Sequence, residues 1–399
     1  MGSYADIINQ KKKEWGCEEL MDAAKAARGP KIPFSAPLMN WATYGGIPRD
    51  KITEFFGDPG GGKTTTAVDL CHTAAKIFHE EWEDRLQFLQ LKVSEGNKGA
   101  KLEYEALTES GPRKVLYVDL EHAFDGEWAT TLGIDFNELD IMQPPDIVAE
   151  DILQMLMEVI QTNEVGLIVL DSIPSLVPRA ELEKKLGDRT VAALAGLLTV
   201  FCRKVVSLLT RHHVTLLMIN QLRDNMDNPY VANTPGGRAA KFYASLRIQF
   251  KLGDPIDFAG NILQKSAENP AGYKIEARLV KQKSAPFDRK NASYHLLCNS
   301  GIRADFDFAQ LASKQYGLLR KAGAWFSVID PSTGEILEDE TGKPVKLNGM
   351  PKVYDFLQSN PAYYQKLVEF ITADINGRPP VFDEADPDLG GDDDPDPVD

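Results

Sequence analysis

A glycine-rich segment that ends in lysine and threonine carries the strongest chemical signal in the sequence. Residues 57–64 read Gly-Asp-Pro-Gly-Gly-Gly-Lys-Thr, which matches the spacing G-x-x-x-x-G-K-[ST]. Such glycines let consecutive backbone N–H groups turn toward an anion, and the helix that follows adds its dipole. We expect Lys63 to reach the β- and γ-phosphates of a nucleotide and the Thr64 hydroxyl to bind Mg²⁺. The other candidate nucleotide contacts are Gly57, Asp58, Pro59, Gly60, Gly61, Gly62 and Thr65.

Two carboxylates follow apolar runs that read as buried strands. Asp171 comes directly after residues 166–170 and would face the ligand crevice, where it can hold the hydration shell of Mg²⁺. Glu121 follows residues 115–120 and would orient or deprotonate a water molecule that attacks the γ-phosphate. Apolar strands often end in Asp, and a helix-capping acid is the alternative for Glu121.

Two lysines at alternate positions of another strand point to an anion. Lys281 and Lys283 would lie on the same face, and two adjacent ammonium groups repel each other unless an anion lies between them. Two solvated lysines on an edge strand are the alternative. Trp128 is a candidate stacking platform for adenine, with core packing as its ordinary role.

Apolar runs that alternate with helical stretches must position these residues. The predicted strands are 52–56, 115–120, 166–170, 214–220, 246–250 and 274–281. Nearly continuous apolar strands indicate burial on both faces, so we predict an α/β fold with a mainly parallel sheet between helices. A charged, helix-prone insert at 79–113 interrupts this pattern.

The chain divides into four predicted regions. Residues 1–30 hold a lone helix at 5–28 with a basic patch at 11–13, and the core spans 31–303. A small C-terminal domain at 304–382 has predicted helices at 306–319 and 351–357 around a polar hairpin-like stretch at 330–346. Residues 383–399 carry nine carboxylates and no Lys or Arg, and we predict a disordered acidic tail.

Composition narrows the class of protein. The 399 residues are 43% hydrophobic and 26% charged with a formal net charge of −15, typical of a soluble globular chain. This acidic balance argues against a broad basic DNA-coating face, but most of the excess charge lies in the tail, without which the net charge is −6. The four cysteines are far apart, which disfavours a zinc site or a disulfide framework. The apolar run 191–202 is too short to span a bilayer, so we expect a cytoplasmic protein without a membrane partner.

Several blocks resemble bacterial RecA-type recombinases. They occur in the family's order from about residue 31 to 360 and read VDLEHAFD at 118–125, VLDS at 169–172, INQLR at 219–223, PGGRAAKFYAS at 235–245, KQKSAPF at 281–287 and KAGAWF at 321–326. The resemblance implies a P-loop NTPase core of the RecA type, with ATP and Mg²⁺ as ligands. Divergence from the family favours a phage or prophage version.

The resemblance also implies residue roles. Glu121 would be the catalytic carboxylate and Asp171 the acid beside Mg²⁺, while Asp125 and Trp128 would hold adenine. Gln221 would sense the γ-phosphate and order the second DNA-binding loop. Lys281 and Lys283 would contact ATP across a subunit interface, so that the protein forms a helical homopolymer. The N-terminal helix at 5–28 would be the polymerisation arm that docks on the next subunit.

DNA would bind at two loops, 181–190 and 223–241. The candidate contacts are Arg189, Arg223, Tyr230, Gly236, Gly237 and Arg238, and recognition directed at phosphates predicts little sequence preference. Gly196 stands where the family places a DNA-contacting Arg. The implied function is ATP-dependent pairing and strand exchange between single-stranded and double-stranded DNA. The alternatives are a ring-shaped motor ATPase and a nucleotide-gated recombination mediator with little turnover.

Overall fold

A computed structural model describes residues 4–15, 29–137, 139–145, 148–183, 193–222 and 234–377. The chain forms two compact units, Met1–Pro30 and Lys31–Asp399. In the first unit, helix α1 spans Tyr4–Trp15. The remainder of the helix predicted at 5–28 lies outside the described residues, as does the acidic tail.

The second unit begins with a small antiparallel pair of strands. Strand β1 (Lys31–Ile32) pairs with β2 (Ile47–Pro48), and helix α2 (Pro37–Thr43) lies between them in the chain. A central sheet follows. Its strands are β3 (Ile52–Gly57), β4 (Lys114–Asp119), β5 (Leu139–Met142), β6 (Val165–Asp171), β7 (Thr215–Gln221), β8 (Leu246–Ile256), β9 (Gly272–Gln282), β10 (Asn291–Leu297) and β11 (Gly301–Ile302).

Across this sheet the described strands run in the order β11-β10-β9-β8-β3-β7-β6-β4-β5. The strands from β8 to β5 are parallel to their neighbours, and β9, β10 and β11 are added antiparallel. The predicted mainly parallel sheet between helices is therefore confirmed. Because the strands from β8 to β5 are parallel, β3, β4, β6 and β7 end at one edge, where Thr64 contacts Asp171 and Gln221 contacts Glu121.

Helices cover both faces of the sheet. They are α3 (Lys63–Ser94), α4 (Lys98–Ser110), α5 (Gly126–Thr131), α6 (Ala149–Gln161), α7 (Arg179–Leu182), α8 (Ala193–His212) and α9 (Ala239–Tyr243). Within β6, Leu167 and Val169 join one hydrophobic cluster while Ile168 and Leu170 join another. This alternation explains why the strand reads as a continuous apolar run.

Helix α8 is longer than the apolar run at 191–202 that the sequence displays. Its 20 residues would suffice, by length and composition, to cross a membrane, although a buried core helix passes the same test. Leu198, Phe201, Val205 and Leu209 of this helix pack into the second cluster. The apolar face of α8 is therefore part of the core.

The insert predicted at 79–113 contains the second half of α3 followed by α4. Arg85 of α3 forms an ion pair with Glu103 of α4, and the Trp82 indole donates to the Leu107 carbonyl at 2.9 Å. The insert is therefore a helical hairpin joined by side-chain contacts as well as by its turn.

The C-terminal region builds a third hydrophobic cluster. It contains α10 (Ala304–Lys314), α11 (Met350–Ser359), α12 (Pro361–Ile375) and a sheet of β12 (Leu319–Ala322), β13 (Trp325–Val328) and β14 (Lys346–Asn348). The helix predicted at 306–319 ends at Lys314, because residues 319–322 pair with β13 instead. The domain boundary at 303 stays a prediction, since residues from Lys31 onward form one compact unit.

Candidate active site

The glycine-rich segment connects β3 to α3 as the motif requires. Gly57 has φ +152°, and a Cβ there would lie 2.0 Å from the Phe250 carbonyl oxygen. Gly62, with φ +87°, is the N-cap of α3. Only glycine fits at residue 57, because the backbone of β8 approaches it closely there.

Lys63 points back into this loop. Its ammonium donates to the carbonyls of Gly57 at 3.1 Å and Asp58 at 2.7 Å, and the residue is buried. Burial lowers the pKa of Lys63, and the carboxylates of Asp171 and Glu121 oppose that shift. The cation is thus held where an anion in the loop would meet it.

Asp171 lies at the end of β6, opposite the start of α3. The Thr64 hydroxyl donates to its Oδ2 atom at 3.0 Å, and the buried Tyr117 hydroxyl donates to the same atom at 2.7 Å. Burial raises the pKa of Asp171 to about 6, and these two hydrogen bonds oppose the shift. A hydroxyl and a carboxylate at this spacing are the hard oxygen ligands that suit Mg²⁺.

Glu121 and Gln221 are in direct contact at the same edge. The Gln221 amide donates to Glu121 Oε1 at 2.8 Å, and the Ser172 hydroxyl donates a short hydrogen bond to the same oxygen. Asp119, the last residue of β4, accepts from the backbone N–H groups of Glu121 at 3.1 Å and Phe124 at 2.9 Å. The candidate base therefore lies on a turn that Asp119 holds in place.

The two candidate adenine contacts occupy helix α5. Asp125 is its N-cap and accepts from the backbone of Glu127 and Trp128 at 2.9 and 3.0 Å. The Trp128 side chain packs on the first hydrophobic cluster. A cleft of about 310 Å³ adjoins the glycine-rich loop and is lined by Leu252, Tyr273, Ile275 and Leu296 beside residues 60–65. Asp125 and Trp128 do not line this cleft. Their contact with adenine therefore stays a prediction.

Lys281 and Lys283 converge on one carbonyl. Lys281 donates to the carbonyls of Lys241 at 2.6 Å and Phe242 at 2.7 Å, and Lys283 donates to that of Phe242 at 3.3 Å. Burial and the neighbouring Lys283 lower the pKa of Lys281 to about 8. Strand β9 pairs with β8 as far as Gln282 but with β10 only as far as Arg278, and Lys283 follows the last residue of the strand. The role of the two lysines as phosphate contacts stays a prediction.

The candidate DNA contacts divide into two sets. Arg189, Arg223 and Tyr230 lie outside the described residues. Gly236 and Gly237 pack closely on helix α8, because a Cβ there would lie 2.4 Å from Leu198 Cδ1 and 2.8 Å from the Ala195 Cβ. Arg238 is exposed at the start of α9. The two glycines thus have a packing reason to be glycine, whether or not they approach a phosphate.

Sequence reasoning missed several residues that support the site. Tyr117, Ser172 and Asp119 hold Asp171, Glu121 and the turn after β4, respectively. Each lies in or directly after a predicted strand that ends at the site. Their position at the end of a predicted strand was the sequence signal that could have identified them. Their hydrogen-bond partners were not predictable, because these depend on which strands are neighbours in the sheet.

Comparisons with known proteins identify the family to which the chain is similar. The RecA N-terminal domain family matches residues 93–303, more than half of the chain. Protein RecA of Thermus aquaticus is 30% identical over 337 residues, which cover 84% of this chain and 81% of the relative. Protein RecA of Chloroflexus aggregans is 28% identical over 351 residues, covering 88% and 83%. Protein RecA of Clostridium acetobutylicum is 30% identical over 295 residues, covering 73% and 71%.

These relatives do not favour the ring motor or the mediator. The glycine-rich loop, the strand-end carboxylates and the similarity along most of the chain point to the same assignment. The chain belongs to the RecA family of ATP-dependent DNA recombinases.

Proposed function

We propose that this protein hydrolyses ATP in a DNA-dependent manner, forms a filament on single-stranded DNA and exchanges its strand with homologous duplex DNA. The observation that carries the proposal is the 2.8 Å hydrogen bond between Gln221 and Glu121. An amide that senses the γ-phosphate would release the catalytic carboxylate when it turns to the nucleotide. Nucleotide binding and activation of the base are thereby linked.

The residues of the loop supply nucleotide binding. Lys63 and the backbone N–H groups of residues 57–65 would hold the phosphates of ATP. Thr64 and Asp171 would hold Mg²⁺, which when bound neutralises charge on the phosphates. The described residues include no cluster of three or more His, Cys, Asp or Glu able to hold a metal, so nucleotide oxygens and water would complete its shell. Glu121 would take the proton of the attacking water, and Asp125 and Trp128 would contact the adenine.

Filament formation is supported by an exposed apolar side chain beside the lysine pair. Phe242 is 70% exposed, and the Lys283 ammonium lies 5.7 Å from its ring centroid. A neighbouring copy would cover Phe242, and Lys281 and Lys283 would then reach the ATP of that copy. Single-stranded and double-stranded DNA would bind through Arg238 with Arg189, Arg223, Tyr230, Gly236 and Gly237. We place the protein in the cytoplasm of a bacterium or of a phage-infected host.

The test is ATP hydrolysis with and without single-stranded DNA, with the same samples imaged by electron microscopy. We expect DNA-stimulated turnover together with helical filaments, and exchange of a labelled strand with homologous duplex. Rings, or turnover indifferent to DNA, would contradict the proposal.

A further inference from the structure

Strand β3 leads into the glycine-rich loop at 57–64, called the phosphate loop below, and carries a fully buried carboxylate, Glu54. This carboxylate has no part in the chemistry described above. Glu54 of β3 is 0% exposed. Its Oε1 atom accepts from the Asn220 amide at 3.0 Å, and its Oε2 atom accepts from Arg247 at 2.5 Å. Burying an ionised carboxylate is costly, and pairing it satisfies its charge. Both oxygens of Glu54 are thus committed to residues of neighbouring strands.

Asn220 connects Glu54 to Pro235, which lies in the described part of the predicted second DNA-binding loop at 223–241. It is 0% exposed, and its amide nitrogen also donates to the Pro235 carbonyl at 3.2 Å. Its side-chain oxygen accepts from the backbone N–H of Gln221 at 3.0 Å. One buried amide therefore joins Gln221, which contacts Glu121, to the residue directly before Gly236, Gly237 and Arg238.

The backbone on both sides of Asn220 is tied down as well. The Leu222 N–H donates to the carbonyl of Gly57, the first residue of the phosphate loop, at 3.2 Å. On the far side, Gly236 and Gly237 pack against α8. Asn220 thus links the backbone of Gln221 to Pro235, the residue directly before the candidate DNA contacts Gly236, Gly237 and Arg238.

We propose that Glu54 and Asn220 are positioning residues that couple the nucleotide site to DNA binding: Glu54 fixes the Asn220 amide, and Asn220 transmits the state of Gln221 to Pro235 and Arg238. The inference rests on the proposed function, since it concerns the DNA dependence of ATP hydrolysis. The hydrogen bonds of these two side chains go to each other and to Pro235, Gln221 and Arg247, none of which belongs to the glycine-rich loop at 57–64.

Two variants separate coupling from structural support. N220D keeps the acceptor for Gln221 but loses both donated hydrogen bonds, and it places a second carboxylate beside Glu54. In the double variant E54Q/N220D the new amide can accept from Arg247 and donate to the carboxylate at 220. The double variant thereby restores the buried pair and the charge balance, and only the donation to Pro235 is lost.

The measurement is the ratio of ATP hydrolysis with and without a thymidine oligonucleotide, together with oligonucleotide affinity in the presence of a slowly hydrolysed ATP analogue and of ADP. We expect both variants to lower the stimulation ratio about 10-fold and to reduce the difference in affinity between the two nucleotides, with DNA-free turnover within about 2-fold of wild type. The double variant should recover the thermal midpoint that N220D loses. The control is D307N, which changes an equally buried acid in the C-terminal region and should leave the ratio unchanged.

The two proposals fail in different ways. A wild-type ratio in the folded double variant overturns the coupling role of Asn220, while the proposed function stands. A wild-type protein without any DNA stimulation overturns the proposed function and the coupling inference with it. Should N220D not fold, the double variant alone decides the question.

Discussion

Glu121 Oε1 accepts two hydrogen bonds, one from Ser172 and one from Gln221. A general base needs a free lone pair directed at the attacking water, and this oxygen is already occupied by two donors. Withdrawal of the Gln221 amide would remove one of them. Ser172 and Gln221 therefore both fix the position of Glu121 Oε1 in the described structure.

The first prediction concerns the Glu121 carboxylate itself. We expect Glu121→Gln to keep ATP and DNA binding and to lower turnover about 10²–10⁴-fold, because an amide cannot accept the proton of water. The measurements are single-turnover hydrolysis and oligonucleotide binding with ATP. Glu127→Gln, on an exposed residue of the adjacent helix, is the matched control. Turnover that survives in Glu121→Gln would show that another group is the base.

The second prediction follows from the environment of Lys281. Its pKa of about 8 means that the ammonium is present below that pH and is lost above it. In the proposed assembly the ammonium must be charged to contact a phosphate, so the protein concentration needed for half-maximal DNA-stimulated hydrolysis should rise from about pH 7 to about pH 9. Lys281→Arg should show a smaller rise over that range, because guanidinium stays protonated. Lys290→Arg is the control, and an identical rise in all three proteins would exclude Lys281 as the titrating group.

At the level of elements, the strands most apparent in the sequence are those buried on both faces. Residues 166–170 are continuously apolar because helices cover both sides of β6. Strands β5, β10 and β11 were missed for the opposite reason. Ile141 and Met142 of β5 are exposed, and β10 mixes Asn291, Ser293 and His295 with apolar residues. Their strand character comes from pairing with a neighbour, which the local sequence does not display.

The same distinction applies to the site. The ends of parallel strands meet at one edge, so the sequence alone predicted that Glu121 and Asp171 would lie near the phosphate loop. The hydrogen bonds of Ser172 to Glu121 and of Asn220 to Glu54 were not predictable. They join residues that are far apart in the chain and depend on the register between strands, such as Asp119 opposite Asp171.

The third prediction concerns the junction of β10 and α10. His295 lies 3.1 Å from Asp307 Oδ1, and Oδ2 of Asp307 has no hydrogen-bond partner among the described residues. Burial raises the pKa of Asp307 to about 6. Between about pH 4 and pH 6 the folded protein therefore binds a proton that the unfolded chain has lost. This group makes the protein less stable as the pH rises, by up to about 3 kcal/mol.

Asp307→Asn should remove this pH dependence of stability. The free energy of unfolding of the wild type should therefore fall relative to that of the variant between about pH 4 and pH 6. Urea unfolding at several pH values measures this free energy. The control is Asp355→Asn on the exposed side of α11, which should retain the wild-type slope. Parallel profiles for Asp307→Asn and the wild type would mean that Asp307 ionises normally.

For the whole molecule, the division into units separates folding from assembly. Residues 1–30 form a unit of their own, and the described residues of the three hydrophobic clusters all belong to the second unit. Phe242 remains 70% exposed in the single chain. The second unit therefore has the core needed to fold alone, and Phe242 belongs to the surface at which we propose that a neighbouring copy docks.

The last prediction tests this separation by removing residues 1–30. The shortened chain should unfold at nearly the same temperature and bind ATP with unchanged affinity, because neither its core nor its phosphate loop loses a residue. If the N-terminal helix is the polymerisation arm, filaments on single-stranded DNA should disappear and DNA-stimulated hydrolysis should fall with them. Sedimentation velocity and electron microscopy with ATP and DNA measure assembly. Removal of residues 383–399 is the control for chain shortening and should leave filaments intact. Filaments of normal length without residues 1–30 would place the assembly contacts in the second unit alone, around Phe242, Lys281 and Lys283.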